Sequence, residues 1–514
     1  MTARRALLSA GALGALLCGA PSSVAYAQKG PDLAAFDKYV AKAARDWQVP
    51  GMAVAIVKDD SLVFAKGYGV IELGKPGVVN EHTRFAIGST TKAMTSAALA
   101  MLVDEGKIQW DERVIDILPE LQLYDSYATH ELTVRDLLTH RSGLPDTDLL
   151  WIIPQNHLSM DEMIRRLRYV KPESSFRSNW EYQNVVYAIG GLIVERVSGM
   201  PWQRFVETRL WDPIGMHESI PLVSELAGQP NVAVPHALVN DTVRRVPVRT
   251  TDAIAPAGSV WSSVSDMSKW MRFILDSGRV GTTQLIKPST FAELLTPEIR
   301  APMEEYPALE LARPHFFSYA LGWFVQDYDG ETVWMHTGSI DGMCALIGLE
   351  PGRKLGVYVL ENLDHAELRH ALMYKVFDLY AASAGKKPSR DWSADLNALF
   401  AAQRQRRVSR RSAVTSTAQA VPASLPLDRY AGSYTDSTYG TVTVTLTNGA
   451  LRAQYGNWDL GELRHATFER FRSVARDSLE GETVLTFVPD GDGHVRAVQI
   501  FGASFPRANA GSGQ

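Results

Sequence analysis

The chain of 514 residues is 46% hydrophobic and 21% charged, a composition typical of a globular protein with large buried cores. Its formal net charge of −5 and its pI near 6.2 provide no general attraction to a polyanion. The sequence therefore predicts no nucleic-acid partner.

The first 27 residues have the three parts of a secretory signal peptide. Two arginines precede an apolar run over 6–20, and small residues surround the expected cleavage site after Ala27. The apolar run is too short for a transmembrane helix, so we expect a signal peptide over 1–27, a periplasmic or secreted protein, and no membrane span. Cleavage would remove Cys18 and leave Cys344 alone, which excludes an internal disulfide in the mature chain.

The next elements predict an α/β (α+β) domain. Alternating or short apolar runs indicate five strands, over 52–57, 62–67, 332–336, 345–349 and 355–360. Their short connections make neighbours antiparallel, so we expect one five-stranded antiparallel sheet with helices 32–47 and 365–382 on one face. Helical patterns over 85–320 predict a second, helical lobe, with a cleft between the two parts.

The C-terminal part changes in composition. Arginine, serine, threonine, alanine and proline dominate 403–424, which predicts a solvated connector there because no aromatic residues interleave its arginines. We expect the linker between the two domains to span 386–424. Alternating runs and an Asn448-Gly449 turn then predict a small antiparallel β unit as a separate domain over 425–505.

The segment 84–92 places a serine at the start of an apolar helix, with a lysine one turn later. Ser89 and Lys92 are three positions apart, so their side chains share a helix face, and the helix N-terminus favours the negative charge of an activated nucleophile. The same pattern recurs at Ser383 and Lys386, where a glycine interrupts it. The tetrapeptide alone is therefore weak evidence for catalysis.

Three further segments strengthen the case for Ser89. The pentapeptide 180–184 (Trp-Glu-Tyr-Gln-Asn) precedes an apolar helix, 334–339 (Trp-Met-His-Thr-Gly-Ser) ends a predicted strand, and 138–145 reads Leu-Thr-His-Arg-Ser-Gly-Leu-Pro. In order and approximate spacing these motifs resemble those of the serine β-lactamase and penicillin-binding-protein superfamily. The resemblance is to the branch of class C β-lactamases and D-aminopeptidase-type serine peptidases, and it covers roughly 33–385.

The resemblance implies a serine hydrolase that forms an acyl-enzyme. The residues implied in catalysis are Ser89, Lys92 and Tyr182. Those implied in substrate or oxyanion binding are Asn184, His336, Thr337, Gly338 and Ser339. Ser89 would be the nucleophile, and either Lys92 or a Tyr182 phenolate would be the base, a choice that the sequence leaves open.

His336 departs from the motif of β-lactamases and transpeptidases, which usually begins with lysine. Histidine is mostly neutral near pH 7 and therefore binds a substrate carboxylate less strongly than lysine does. We therefore expect a peptidase or amidase acting on short or non-standard peptides. Linearised microcystin is the most specific substrate that the resemblance suggests. The open alternatives are a carboxylesterase acting on small esters, a class C-type β-lactamase, and a penicillin- or peptidoglycan-binding module without activity.

The β unit over 425–505 resembles the lipocalin-like barrel that is appended to some of these peptidases. We expect neither a cofactor nor a metal, because the sequence has no His-Glu-x-x-His element or convincing ligand cluster. The sequence makes no prediction of oligomeric state.

Overall fold

The computed structural model describes residues 30–152, 158–239, 242–383, 385, 390–417, 421–473 and 483–508. The predicted signal peptide over 1–27 lies outside these residues. Within the described ranges, no helix combines the length and the hydrophobicity needed to cross a bilayer.

One large antiparallel sheet organises the first part of the chain. Its strands are β1 (Gly51–Lys58), β2 (Ser61–Gly69), β3 (Ile299–Arg300), β4 (Phe317–Tyr319), β5 (Phe324–Tyr328), β6 (Glu331–Ile340), β7 (Met343–Glu350) and β8 (Leu355–Glu361). They lie in the order β2-β1-β8-β7-β6-β5-β4-β3, and all neighbouring pairs are antiparallel. The five predicted strands are β1, β2, β6, β7 and β8, side by side as expected, but the sheet has eight strands because β3, β4 and β5 extend it.

The helices fall mainly between β2 and β3, as predicted for the second lobe. The longer ones are α1 (Leu33–Asp46), α2 (Lys92–Asp104), α3 (Met160–Leu167), α4 (Asn184–Ser198), α5 (Val264–Leu275), α6 (Pro288–Leu294), α7 (Leu368–Ser383) and α8 (Trp392–Thr417). Shorter helical segments are Val114–Ile117, Ser126–Glu131, Val134–Leu138, Leu149–Ile152, Trp202–Phe205, Asp212–Ile214, Ala255–Gly258 and Leu309–Ala312. Small two-stranded sheets pair Phe85–Ala86 with Trp261–Ser262, His236–Val239 with Thr242–Arg245, and Arg279–Val280 with Thr283–Gln284.

The central sheet is buried on both faces, which explains why β1 is apolar throughout. Successive side chains of a strand point to opposite faces, and Ala53 and Ala55 pack into one hydrophobic core while Val54 and Ile56 pack into the other. Helices α1 and α7 cover the second core, and α5 packs on the opposite face. Packing on both faces therefore holds the sheet, and with it the ends of its strands, in a fixed position.

Helix α8 lies within the segment predicted as a linker over 386–424. Trp392 and Leu396 are buried against the core beneath α7, and Leu399 and Phe400 are partly buried there. Their spacing puts them on one face of the helix. The first part of the segment predicted as a linker is therefore a helix packed on the core, and the solvated connector is predicted only beyond it, over 403–424.

The C-terminal unit is a nearly closed antiparallel barrel, as predicted. Its strands are β9 (Gly432–Asp436), β10 (Gly440–Thr447), β11 (Ala450–Tyr455), β12 (Trp458–Thr467), β13 (Arg470–Ser473), β14 (Thr483–Pro489), β15 (Val495–Ile500) and β16 (Ala503–Pro506), which pair in chain order. A bridge between Tyr434 and Arg507 joins the first strand to the chain after the last. Aromatic residues such as Tyr430, Phe471 and Phe487 fill a hydrophobic core of its own.

Candidate active site

Ser89 lies in a single 3₁₀ turn, Gly88–Thr91, that leads directly into α2. Gly88 has a φ of +50°, a left-handed conformation that glycine adopts without strain, so the chain can turn sharply before the serine. Nζ of Lys92 lies 3.1 Å from Oγ of Ser89. The structure thus brings together the two side chains that the Ser-x-x-Lys spacing places on one helix face.

The amine of Lys92 is enclosed by protein. It donates hydrogen bonds to Oδ1 of Asn184 at 2.7 Å and to the carbonyl oxygen of Ala257 at 3.0 Å, and it lies 4.7 Å from the ring centroid of Tyr182. Burial lowers the pKa of Lys92 to about 7, while the carboxylate of Asp148 opposes this change. A large fraction of the amine is therefore neutral near pH 7 and able to accept a proton.

The side chain of Ser89 interacts with the phenol of Tyr182 and lowers its pKa, a smaller effect than that of burial. Burial raises the pKa of its phenol well above the usual value, so Tyr182 keeps its proton at neutral pH and can donate it. Of the two bases that the sequence left open, Lys92 is the one with a pKa near neutrality.

Strand β6 touches the serine turn backbone to backbone. A Cβ atom on Gly88 would lie 2.7 Å from the nitrogen of Ser339, and one on Gly338 would lie 1.9 Å from the carbonyl oxygen of Ile87. In the β6–β7 hairpin, Ser339 occupies a non-hydrogen-bonded position next to the two-residue turn, so its N–H points away from β7. The N–H groups of Ser89 and Ser339 meet at this contact and can form an oxyanion hole.

Asn184 links two titratable groups. Its Oδ1 accepts from Lys92, and its Nδ2 donates to Oδ2 of Asp148 at 2.8 Å. Asp148 also accepts from Nε1 of Trp151 at 2.9 Å. Burial, together with the nearby Asp146, raises the pKa of Asp148 to about 6. No motif pointed to Asp148, which reaches the site from a loop whose conformation the sequence did not predict.

His336 lies beneath the cleft and not on its surface. The imidazole is 1% exposed; Nδ1 contacts the carbonyl oxygen of Thr337 at 2.6 Å, and Nε2 contacts the hydroxyl of Tyr319 at 2.8 Å. Burial and the proximity of Lys92 lower its pKa to about 3, so the ring is neutral, donating to the carbonyl and accepting from the tyrosine. The hydroxyl of Thr337 pairs with Tyr306 at 2.8 Å. Both polar atoms of His336 are thus used inside the protein, and the imidazole is not placed to bind substrate.

His140, a residue of the 138–145 motif that received no role from the sequence, supports Tyr182. The two ring centroids are 4.3 Å apart. Nδ1 of His140 accepts a hydrogen bond from the backbone N–H of Gln183 at 3.0 Å. The backbone carbonyl oxygen of His140 accepts one from the backbone N–H of Glu181 at 2.7 Å. His140 therefore holds the turn that carries Tyr182, a contact between distant segments that spacing alone does not reveal.

Ser89 opens into a cleft of about 210 Å³. Carboxylates of Asp148, Asp341 and Asp364 line it, together with the guanidinium of Arg249. Arg249 lies 2.5 Å from Asp341 and pairs with it. The lining is therefore acidic on balance, which disfavours a substrate carboxylate beside the serine.

The chain matches known sequences over most of its length. Residues 36–381 match the family described as beta-lactamase. The chain belongs to the beta-lactamase family. Residues 417–509 match a second family, a domain of unknown function (DUF3471).

Relatives of this beta-lactamase-family chain include hydrolases and a penicillin-binding protein homologue. It is 28% identical to unguisins hydrolase ungD of Aspergillus violaceofuscus over 452 residues, 80% of this chain and 76% of the relative. The octameric penicillin-binding protein homologue from Pyrococcus abyssi superposes with a TM-score of 0.59 at 20% identity, over 92% of this chain and 99% of that one. A class C beta lactamase from Rhodobacter sphaeroides gives 0.54 at 19% identity, over 66% and 97%. These findings confirm the predicted superfamily of serine hydrolases and its fold.

Other groups in this beta-lactamase-family chain compete poorly for the role of nucleophile. Cys344 is a free, buried cysteine in β7, and burial raises the pKa of its thiol to about 12, so the thiol stays protonated.

In the part of the chain that the structure describes, no group of three or more His, Cys, Asp or Glu residues is placed to hold a metal ion.

Proposed function

We propose that this chain is an exported serine peptidase or amidase that cleaves short or non-standard peptides through an acyl-enzyme on Ser89. The observation that carries the proposal is the buried amine of Lys92, with a pKa of about 7, at 3.1 Å from Oγ of Ser89. Export follows from the signal-peptide pattern over 1–27, and a mature N-terminus at Gln28 would support it.

The residues of the site supply each proton transfer. Lys92 takes the proton of Ser89 while Oγ bonds to the acyl carbon, and the N–H groups of Ser89 and Ser339 stabilise the oxyanion, each by about 10²–10³ in rate. Tyr182 gives its proton to the leaving nitrogen as the bond to the acyl carbon breaks, and it regains a proton from the Lys92 ammonium. A water molecule then attacks the acyl-enzyme, Lys92 takes one of its protons, and Ser89 recovers its hydrogen on leaving.

The charges around Ser89 favour a peptide over a penicillin-like anion. His336 is neutral and buried, and Asp148 and Asp364 line the cleft. A substrate carboxylate would therefore meet no positive charge from the segment 334–339, which contains His336. The name of the relative unguisins hydrolase supports hydrolysis in general, and linearised microcystin belongs among the short peptides to be assayed.

Labelling of the serine tests the proposal. A fluorophosphonate should add once to the wild type and not to Ser89→Ala, in which acylation should fall by at least about 10³-fold because the nucleophile is gone. Ser383→Ala, which alters the second Ser-x-x-Lys, is the matched control and should label normally. Intact-mass spectrometry measures the adduct, and circular dichroism checks the fold.

Rates on three substrates then separate the alternatives. A short peptide, including one with a D-residue, should be hydrolysed with a higher kcat/KM than a cephalosporin. Comparable turnover of the cephalosporin would make the protein a β-lactamase, and turnover of a p-nitrophenyl ester without any peptide hydrolysis would make it a carboxylesterase. A folded protein that neither labels nor turns over substrate would be a binding module.

A further inference from the structure

The C-terminal barrel touches the segment that carries Asp148. We call residues 436–439, between the first two barrel strands, the barrel loop, and 146–151 the Asp148 segment. The hydroxyl of Tyr439 in the barrel loop lies 3.4 Å from the carbonyl oxygen of Asp146. Leu149 packs against the core of the barrel, and Tyr439 packs against the cores of both the barrel and the catalytic part. The two parts of the chain thus share an apolar contact beside the cleft.

The barrel loop is held in its shape before it meets the catalytic part. Oδ1 of Asp436 accepts from the backbone N–H groups of Thr438 and Tyr439 at 2.8 and 2.9 Å. The hydroxyl of Tyr455 donates to the carbonyl oxygen of Tyr439 at 3.1 Å. On the other side, Nη1 of Arg166 in α3 donates to the carbonyl oxygen of Thr438 at 3.1 Å. These hydrogen bonds fix the conformation of the barrel loop, against which the Asp148 segment packs.

Hydrogen bonds connect the Asp148 segment to the reacting groups. Asp148 accepts from Asn184, and Asn184 accepts from Lys92, which lies beside Ser89. We propose, resting on the function proposed above, that the barrel is a working part of the active site: Tyr439 is a positioning residue that keeps Asp148 in contact with Asn184. A displacement of about 1 Å in such a network is enough to reduce a rate by about 100-fold.

Loss of this contact has a definite electrostatic consequence. The titratable groups that act on Asp148 or feel its charge are Lys92, Asp146, Tyr182 and Tyr439. With Tyr439 removed, the Asp148 segment loses the ring that packs beside it, and the carboxylate of Asp148 can move away from Asn184 and Lys92. The carboxylate of Asp148 raises the pKa of Lys92, so its displacement lets the neutral amine appear at lower pH.

The experiment is a pH profile of the full-length Tyr439→Ala variant. With a p-nitrophenyl ester as the probe, kcat/KM should fall by about 10- to 100-fold, and the midpoint of its acid limb should fall by at least about 0.5 pH unit. Tyr439→Phe, which keeps the ring, should stay within about threefold of the wild type, since packing outweighs one long hydrogen bond. Phe468→Ala, at an exposed aromatic side chain of the same barrel, is the control and should behave as wild type.

A second variant and a double mutant make the outcome decisive. In an Asp148→Asn background, Tyr439→Ala should no longer move the midpoint downward, because the carboxylate that carries the effect is gone. If Tyr439→Ala does not fold, Arg166→Ala loosens the same contact and should shift the midpoint in the same direction. A midpoint and kcat/KM equal to wild type in the folded variant overturn the positioning role. A wild type that is not acylated at Ser89 would instead contradict the proposed function.

Discussion

Lys92, which is buried, and Asp148, which is partly buried, interact, and their charges set the pH range of the reaction. Lys92 is reactive when neutral, and its pKa is about 7, so kcat/KM should rise with pH through about 7 and then level off. The carboxylate of Asp148 stabilises the ammonium, so Asp148→Asn should lower the pKa of Lys92 and move the rise by about one unit to lower pH. Initial rates with a small ester between pH 5 and 9, roughly the range in which such pairs titrate, provide the measurement.

The matched control for this prediction is Asp341→Asn. Asp341 lines the same cleft but is paired with Arg249, so its neutralisation should leave the midpoint unchanged. An upward shift in Asp148→Asn, or the same shift in both variants, would show that Asp148 does not act on Lys92.

Substitution of His336 tests where its side chain lies. An amine at this position would stand in a buried site close to Lys92, where it loses solvation and meets a like charge. His336→Lys should therefore lower kcat/KM by about tenfold or more for a peptide and a cephalosporin alike. His336→Gln, which is neutral and can accept from Tyr319, is the control and should stay closer to wild type. A selective gain in cephalosporin hydrolysis by His336→Lys would mean that residue 336 reaches the substrate.

At the scale of elements, the contact between β6 and the serine turn positions both oxyanion donors. A Cβ at Gly338 would come within 1.9 Å of the carbonyl oxygen of Ile87, so Gly338→Ala must push β6 away from Ser89. We expect kcat to fall by about 100-fold or more, with a smaller change in KM, because the donors act mainly in the transition state. Steady-state kinetics on the ester measure both parameters.

Gly258→Ala is the matched control for this contact. Gly258 also lines the cleft, but a Cβ there would lie 3.7 Å from its nearest neighbour, the backbone carbon of Gly88. Its kcat should remain within about threefold of the wild type, since no backbone has to move. Equal losses in the two variants would mean that any added methyl group in the cleft is harmful, whatever its effect on β6.

The elements that the sequence predicted are those with long, regular patterns. β1 and β8 contain apolar runs, over 52–57 and 355–360, and the length of these runs predicted them. β3 has only two residues, too few for a pattern, so the predicted sheet stopped short. The sequence also predicted no helix over 392–417, although the apolar side chains at its start repeat at helical spacing, namely Trp392, Leu396, Leu399 and Phe400. The arginine-rich composition that follows them contains no apolar stripe that would extend the pattern.

For the molecule as a whole, the order of three motifs predicted which residues meet around Ser89. Lys92 follows from helix geometry, and Tyr182 and Ser339 follow from their positions in motifs. Asp148 and His140 could not be assigned in this way, because each contributes through contacts between segments that are far apart in the chain. The buried position of His336 depends likewise on its contact with Tyr319 of β4, a strand that the sequence did not predict.

The barrel has its own hydrophobic core, joined to the catalytic part by a contact around Tyr439. Two cores with a limited interface unfold separately when neither supplies most of the other's burial, so calorimetry should resolve two transitions. Phe487 packs at 5.0 Å between ring centroids on Tyr430, and Phe487→Ala should cost the barrel about 3–5 kcal/mol and lower its transition alone by more than about 10 °C. Phe205→Ala, in the core of the catalytic part, should lower only the other transition. A single transition that both variants lower equally would show that the chain folds as one cooperative unit.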